Sequence, residues 1–137
     1  MSGSPWSWPG EVLKSELRYI SVSENTASDS AYFDIKVSYL RPLEQDTIEK
    51  IGIGVTVLFY RPGDDEMIKG GVTQAYGDFS DALQSGIYDI KFSYVGCNSL
   101  LLRNVDLKAE STNKIIVRLG MHGGEEKTYE TDLQEKR

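Results

Sequence analysis

The 137-residue sequence predicts an all-β chain, an antiparallel β-sandwich of about seven short strands. Three observations carry that prediction. Apolar residues recur at every second position in one run after another, the period of a strand with one buried face. Clusters of Gly, Pro, Asp and Ser punctuate the runs at intervals of roughly 8 to 12 residues. No long stretch keeps a helical period, and strands and helices do not alternate as a parallel sheet would require.

The first ten residues set Ser, Gly, Pro5 and Pro9 around Trp6 and Trp8, a composition that resists regular structure while offering two large apolar side chains. Two readings stand: a tail that packs its indoles on the sandwich, or an exposed aromatic clip such as a sugar platform. Val12, Leu13, Leu17 and Ile20 fit one helical face, but Arg18 to Val22 alternates, which favours a short strand. Ser23 to Ser30 is small and polar, a linker.

Phe33, Ile35, Val37 and Tyr39 alternate with Asp34, Lys36 and Ser38 in a half-buried strand that Pro42 is expected to end. Ile51, Ile53, Val55, Val57 and Phe59 read as a central strand, with Gly52 and Gly54 on its other face marking a bulge or the close approach of a neighbour. Turn residues Arg61 to Asp65 lead into a strand from Met67 to Gln74. After a break at Gly77 and a short strand to Leu83, the chain should reverse within Gln84-Ser85-Gly86, with Gly86 at positive φ. Tyr88, Ile90, Phe92 and Tyr94 then share a buried face; Leu101, Val105 and Leu107 share another, and Ile115, Val117 and Leu119 the last. The core is expected to contain Phe33, Ile35, Val37, Val55, Val57, Ile90, Phe92, Val117 and Leu119.

Thr73, Gly77, Phe79, Leu83, Gly86, Tyr88, Ile90, Ser93 and Gly96 follow a pattern spread over several strands, and that pattern resembles carboxypeptidase regulatory-like domains, similar in fold to transthyretin. Gln74 stands where that family has Asp, and Cys97 where it has an aromatic. The resemblance covers residues 31–120. It implies an Ig-like or transthyretin-like sandwich there, with residues 1–30 as an amino-terminal extension that is partly ordered or adds a strand. Residues 121–137, rich in Glu, Lys and Thr, are expected to form a flexible charged tail.

The chain carries a net charge of −6, and residues 1–30, 31–120 and 121–137 each contribute −2, from 2 basic and 4 acidic, 10 and 12, and 3 and 5 residues. That spread argues against a nucleic-acid partner, which needs a basic patch to neutralise phosphates. No apolar run approaches the roughly 20 residues of a membrane-spanning helix, and no signal peptide opens the sequence. Cys97 is the sole cysteine, so no disulfide closes within the chain.

Candidate chemistry is sparse. His122 is the single histidine, which leaves neither a multi-histidine zinc site nor a triad with a spare base. A transthyretin-like hydroxyisourate hydrolase needs several histidines and a terminal Tyr-Arg-Gly-Ser, whereas this sequence ends Gln-Glu-Lys-Arg. Asp64, Asp65 and Glu66 lack calcium-loop spacing and read as a solvated turn; Asp78 and Asp81 read as turn caps. Cys97 has no cation within four residues to activate it. No catalytic residue, cofactor or metal is expected.

The resemblance implies a non-enzymatic accessory or interaction module, a small envelope-associated bacterial protein, a lipoprotein by one reading, that contacts another protein or an envelope component. A cytoplasmic location is the alternative, and the oligomeric state is open. The competing reading is a carbohydrate- or peptide-binding module using Trp6, Trp8 and the surface tyrosines Tyr60 and Tyr76.

Overall fold

A computed structural model describes residues 14–24, 30–43 and 46–134. It is all-β, and the described residues form two five-stranded sheets. The first holds β1 (Glu16–Glu24), β2 (Ser30–Leu43), β3 (Asp46–Ile51), β6 (Asp78–Gln84) and β9 (Ser111–Gly120), in the order β1-β9-β2-β3, with β6 also on β2. The second holds β4 (Thr56–Tyr60), β5 (Met67–Val72), β7 (Gly86–Ser93), β8 (Ser99–Leu107) and β10 (Thr128–Asp132), in the order β10-β8-β7-β4-β5. Pairing is antiparallel except between β2 and β9 and between β8 and β10, which run parallel. Ten strands thus replace the expected seven or so.

The two inner faces meet over a core built from the alternating residues. All nine expected core residues are buried, at 3% exposure or less, joined by Phe59, Leu100, Leu102, Leu107 and Ile115. The rings of Phe33 and Phe59 join the sheets with centroids 4.7 Å apart, and Phe79 meets Phe33 edge-on at 5.3 Å.

β2 is the long spine, and one of its edges is shared. Residues 30–36 pair with β6 and residues 38–43 with β3, so the ladder changes hands at Val37. There Val37 N donates to Gly77 O (2.8 Å) and Val37 O accepts from Gly52 N (2.9 Å), satisfying both backbone groups at the gap. Gly77 has a φ of 72°, and a Cβ on it would stand 2.6 Å from Val37 O. The close neighbour expected beside Gly52 is this same carbonyl, 3.0 Å from where its Cβ would be.

Several elements differ from the sequence expectation. The run from Ile51 to Phe59 is not one strand: β3 ends at Ile51, the chain turns through Gly54 at φ 78°, and β4 begins at Thr56 in the other sheet. Ile51 and Ile53 are consequently exposed. Pro42 does not end β2; it pairs with Thr47 near the end of the β2–β3 hairpin, where a lost donor costs little. Gln84 to Gly86 does not close a hairpin, since β6 and β7 lie in different sheets. It is a corner: Gly86 sits at φ 152°, and Tyr88 Oη donates to Gln84 O at 2.6 Å, the tyrosine-corner arrangement of Greek-key sandwiches.

The carboxy-terminal segment also differs from the expected flexible tail. β10 pairs with β8 from Thr128 to Asp132, while Tyr129 and Leu133 pack against the core. Two apolar side chains four residues apart sufficed because β8 offered an unpaired edge for the backbone. In the amino-terminal extension, the expected short strand is β1, paired with β9.

Candidate functional site

The site lies on the outer face of the second sheet, and an irregularity in β8 makes it. Tyr88 pairs with Val105 and Ile90 with Leu102, so Arg103 and Asn104 together oppose Asp89. This bulge shifts the alternation by one: Leu100 and Leu102 face the core before it, Val105 and Leu107 after it. Leu101, expected on the same side as Val105 and Leu107, therefore faces outward, and Arg103 stands beside it on the outer surface.

Asp89 holds the bulge and the neighbouring loop in place. Its carboxylate is buried and accepts from Asn104 N (3.0 Å) and Gly63 N (3.4 Å), tying the β4–β5 loop to β8. Asn104 adopts a left-handed conformation, φ 58°, and its Nδ2 donates to Asp132 on β10 at 2.9 Å. A non-glycine residue in that region costs on the order of 1 kcal/mol and persists only where its surroundings fix it, a condition that clusters at binding sites.

Around this frame lies a groove of about 380 Å³ lined by Tyr60, Asp64, Asp65, Asp89, Lys91 and Arg103, with Gly63 and Leu101 completing the wall. Tyr60 is the cross-strand neighbour of Asp89, and Lys91 sits between Leu58 and Leu101. Its side chain lines the groove. Among the described residues, no hydrogen bond or ion pair engages the Lys91 ammonium or the Arg103 guanidinium, and Arg103 Nε is buried without an acceptor.

Lys91 also lines a second groove, of about 650 Å³, that continues along the same face past Thr56, Ser93 and Ser99 to His122 and Glu126. His122 is fixed by its backbone N–H to Gly96 O (3.0 Å), and its Nδ1 has no hydrogen-bond partner. Cys97 is buried beneath this end, and loss of solvation, reinforced by the Glu126 charge, pushes its thiol up to about 11. A thiol so placed is a poor nucleophile.

The sequence-predicted site residues scatter. Tyr60 is in the groove. Tyr76 is 78% exposed in the β5–β6 turn, away from it, within an apolar end of the sandwich that also carries Ile51, Ile53 and Val95. Trp6 and Trp8 lie outside the described residues. Asp64 and Asp65 belong to the expected turn, where Asp64 Oδ1 accepts from Glu66 N at 3.1 Å, and they form one rim of the groove. Among the described residues, no three His, Cys, Asp or Glu side chains converge as metal ligands would.

Neither member of the Asp78 and Asp81 pair caps the turn with its side chain. Asp78 closes it with its backbone carbonyl, which accepts from Gln74 N at 2.8 Å. Asp81 lies within β6, 2.7 Å from Lys69 Nζ of β5, and so links the two sheets. The residues that sequence reasoning missed are Asp89, Lys91, Arg103 and Asn104. Their one trace was the phase change between Leu100/Leu102 and Val105/Leu107, with the turn-favouring Asn104 between.

No family model matches the chain, and no curated protein matches it.

Proposed function

We propose that this chain is a non-enzymatic binding module acting at a bacterial cell envelope, with the outer face of the second sheet as its contact surface. The observation that carries the reading is the pair Lys91 and Arg103, two cations without partners among the described residues, in a groove whose backbone is held by Asp89 and Asn104. A cation without an internal partner that lines an open groove is free to take its acceptor from a ligand. The groove holds positioned donors and acceptors and no nucleophile paired with a base, which suits recognition rather than turnover.

The accessory role and the envelope setting rest on the resemblance to carboxypeptidase regulatory-like domains and their transthyretin-like fold.

A ¹⁵N-labelled sample titrated with pooled acidic and neutral peptides and oligosaccharides tests the reading. Binding should move the amides of Tyr60, Asp89, Lys91 and Asn104 and should weaken in Arg103→Gln. Binding that maps only to the apolar end, or none from any pool, overturns it.

A further inference from the structure

Resting on that reading, we infer that the ligand of the groove is a carbohydrate chain bearing carboxylates, an acidic polysaccharide segment. Three features of the face point to this class.

The first is its position. The groove lies on the face of the sheet, where the backbone groups of β4 and β7 are already paired to neighbours on both sides. An extended peptide gains affinity by adding to a sheet edge, where its own N–H and C=O groups find partners. On this face a peptide backbone would meet side chains alone and leave much of its ladder unsatisfied. A glycan has no such ladder.

The second is the mixture of polar groups. Sugar hydroxyls donate and accept, and the groove offers both: acceptors from Asp64 and Asp65, donors from Lys91, and two-way hydroxyls from Thr56 and Ser93 further along. Tyr60 adds a ring, and the negative π face of an aromatic attracts the C–H face of a pyranose.

The third is the cation pair. Asp89 lies beside Arg103 and Lys91, and each of its oxygens accepts one backbone N–H, from Asn104 and from Gly63, with no ion pair to either cation among the described residues. The terminal nitrogens of the guanidinium can hold a ligand carboxylate through two parallel hydrogen bonds. Continuity of the two grooves through Lys91 gives room for more than one sugar along the face.

Calorimetry on the whole chain tests the inference with hexagalacturonate, an alginate hexasaccharide and a hyaluronan hexasaccharide as acidic probes. Maltohexaose and hexaglutamate serve as the neutral glycan and the acidic peptide. At least one uronate oligomer should bind, more weakly as salt rises, and Arg103→Gln and Lys91→Gln should each weaken it about tenfold or more. Tyr60→Ala should weaken it as well, and melting curves must show each variant folded. Equal binding of maltohexaose removes the carboxylate requirement and overturns the inference. Binding of hexaglutamate in preference, lost in Arg103→Gln, overturns the carbohydrate class while leaving the binding-module reading intact. No binding by any uronate oligomer also overturns it.

Discussion

Replacing Gly77 with alanine probes the junction at Val37, and Gly54 supplies a matched control. Both glycines have positive φ, 72° and 78°, so each alanine meets the same backbone penalty of about 1 to 2 kcal/mol. Each also gains about 0.4 to 1 kcal/mol from a less flexible unfolded chain. The surroundings differ. Nothing lies within 4 Å of a Cβ on Gly54, whereas on Gly77 it would be 2.6 Å from Val37 O and 3.0 Å from an Ile51 methyl. That carbonyl cannot rotate away, because it accepts from Gly52 N while Val37 N donates to Gly77 O. Moving it weakens two buried hydrogen bonds at about 1 kcal/mol each. Gly54→Ala should thus lose about 1 kcal/mol and Gly77→Ala about 3 kcal/mol, a gap of about 2 kcal/mol. Urea melts with a shared m-value would measure it, and thermal melts should separate the variants by about 6 to 10 °C. If the two alanines cost the same within about 0.5 kcal/mol, the idea that Val37 is a fixed hand-over point between β6 and β3 is wrong.

Four further outcomes are expected. Phe92→Ala, at a fully buried position, should lose about 3 to 5 kcal/mol in denaturant melts; a loss under about 1 kcal/mol would remove Phe92 from the core. Deleting residues 124–137 takes away β10 with Tyr129 and Leu133 and should lower stability by about 2 kcal/mol or more, so an unchanged melting temperature would show that β10 does not dock. Cys97, raised to about 11, should react slowly with iodoacetamide at pH 8 in the folded chain and rapidly in urea; equal rates contradict its burial. Lys69 holds the Asp81 carboxyl below its usual 3.8, which adds stability above that pH and loses it as pH falls through the lowered value. Asp81→Asn should therefore cost less than about 1 kcal/mol at neutral pH, and the difference should fade in acid and in 1 M salt. A deficit that persists in both would mean another interaction is lost.

Most of the interior is legible in the residue pattern alone. Burial follows the period-two pattern wherever a strand stays regular, because a pleated chain sends successive side chains to opposite faces; Phe33 to Val37, Ile90 to Phe92 and Ile115 to Leu119 obey it without exception. The break at Gly77 was legible too, since turn chemistry is local, whereas Gly86 has positive φ at a corner between sheets and not in the expected hairpin.

Where strands stop, which sheet each joins and where the site forms follow from long-range pairing. Ile51 to Phe59 alternates as one strand would, yet the chain changes sheets inside it: Gly52 N makes the last bond of the β2–β3 ladder, to Val37 O, and the turn through Gly54 carries the chain to β4. Little in residues 128–132 demands burial, and they form a strand because β8 has an open edge. The groove depends on a single bulged pair of residues opposite Asp89, which flips Leu101 and Arg103 outward. Local pattern records the period of a strand but not its register against another, and the register placed Lys91 and Arg103 in one groove with Tyr60.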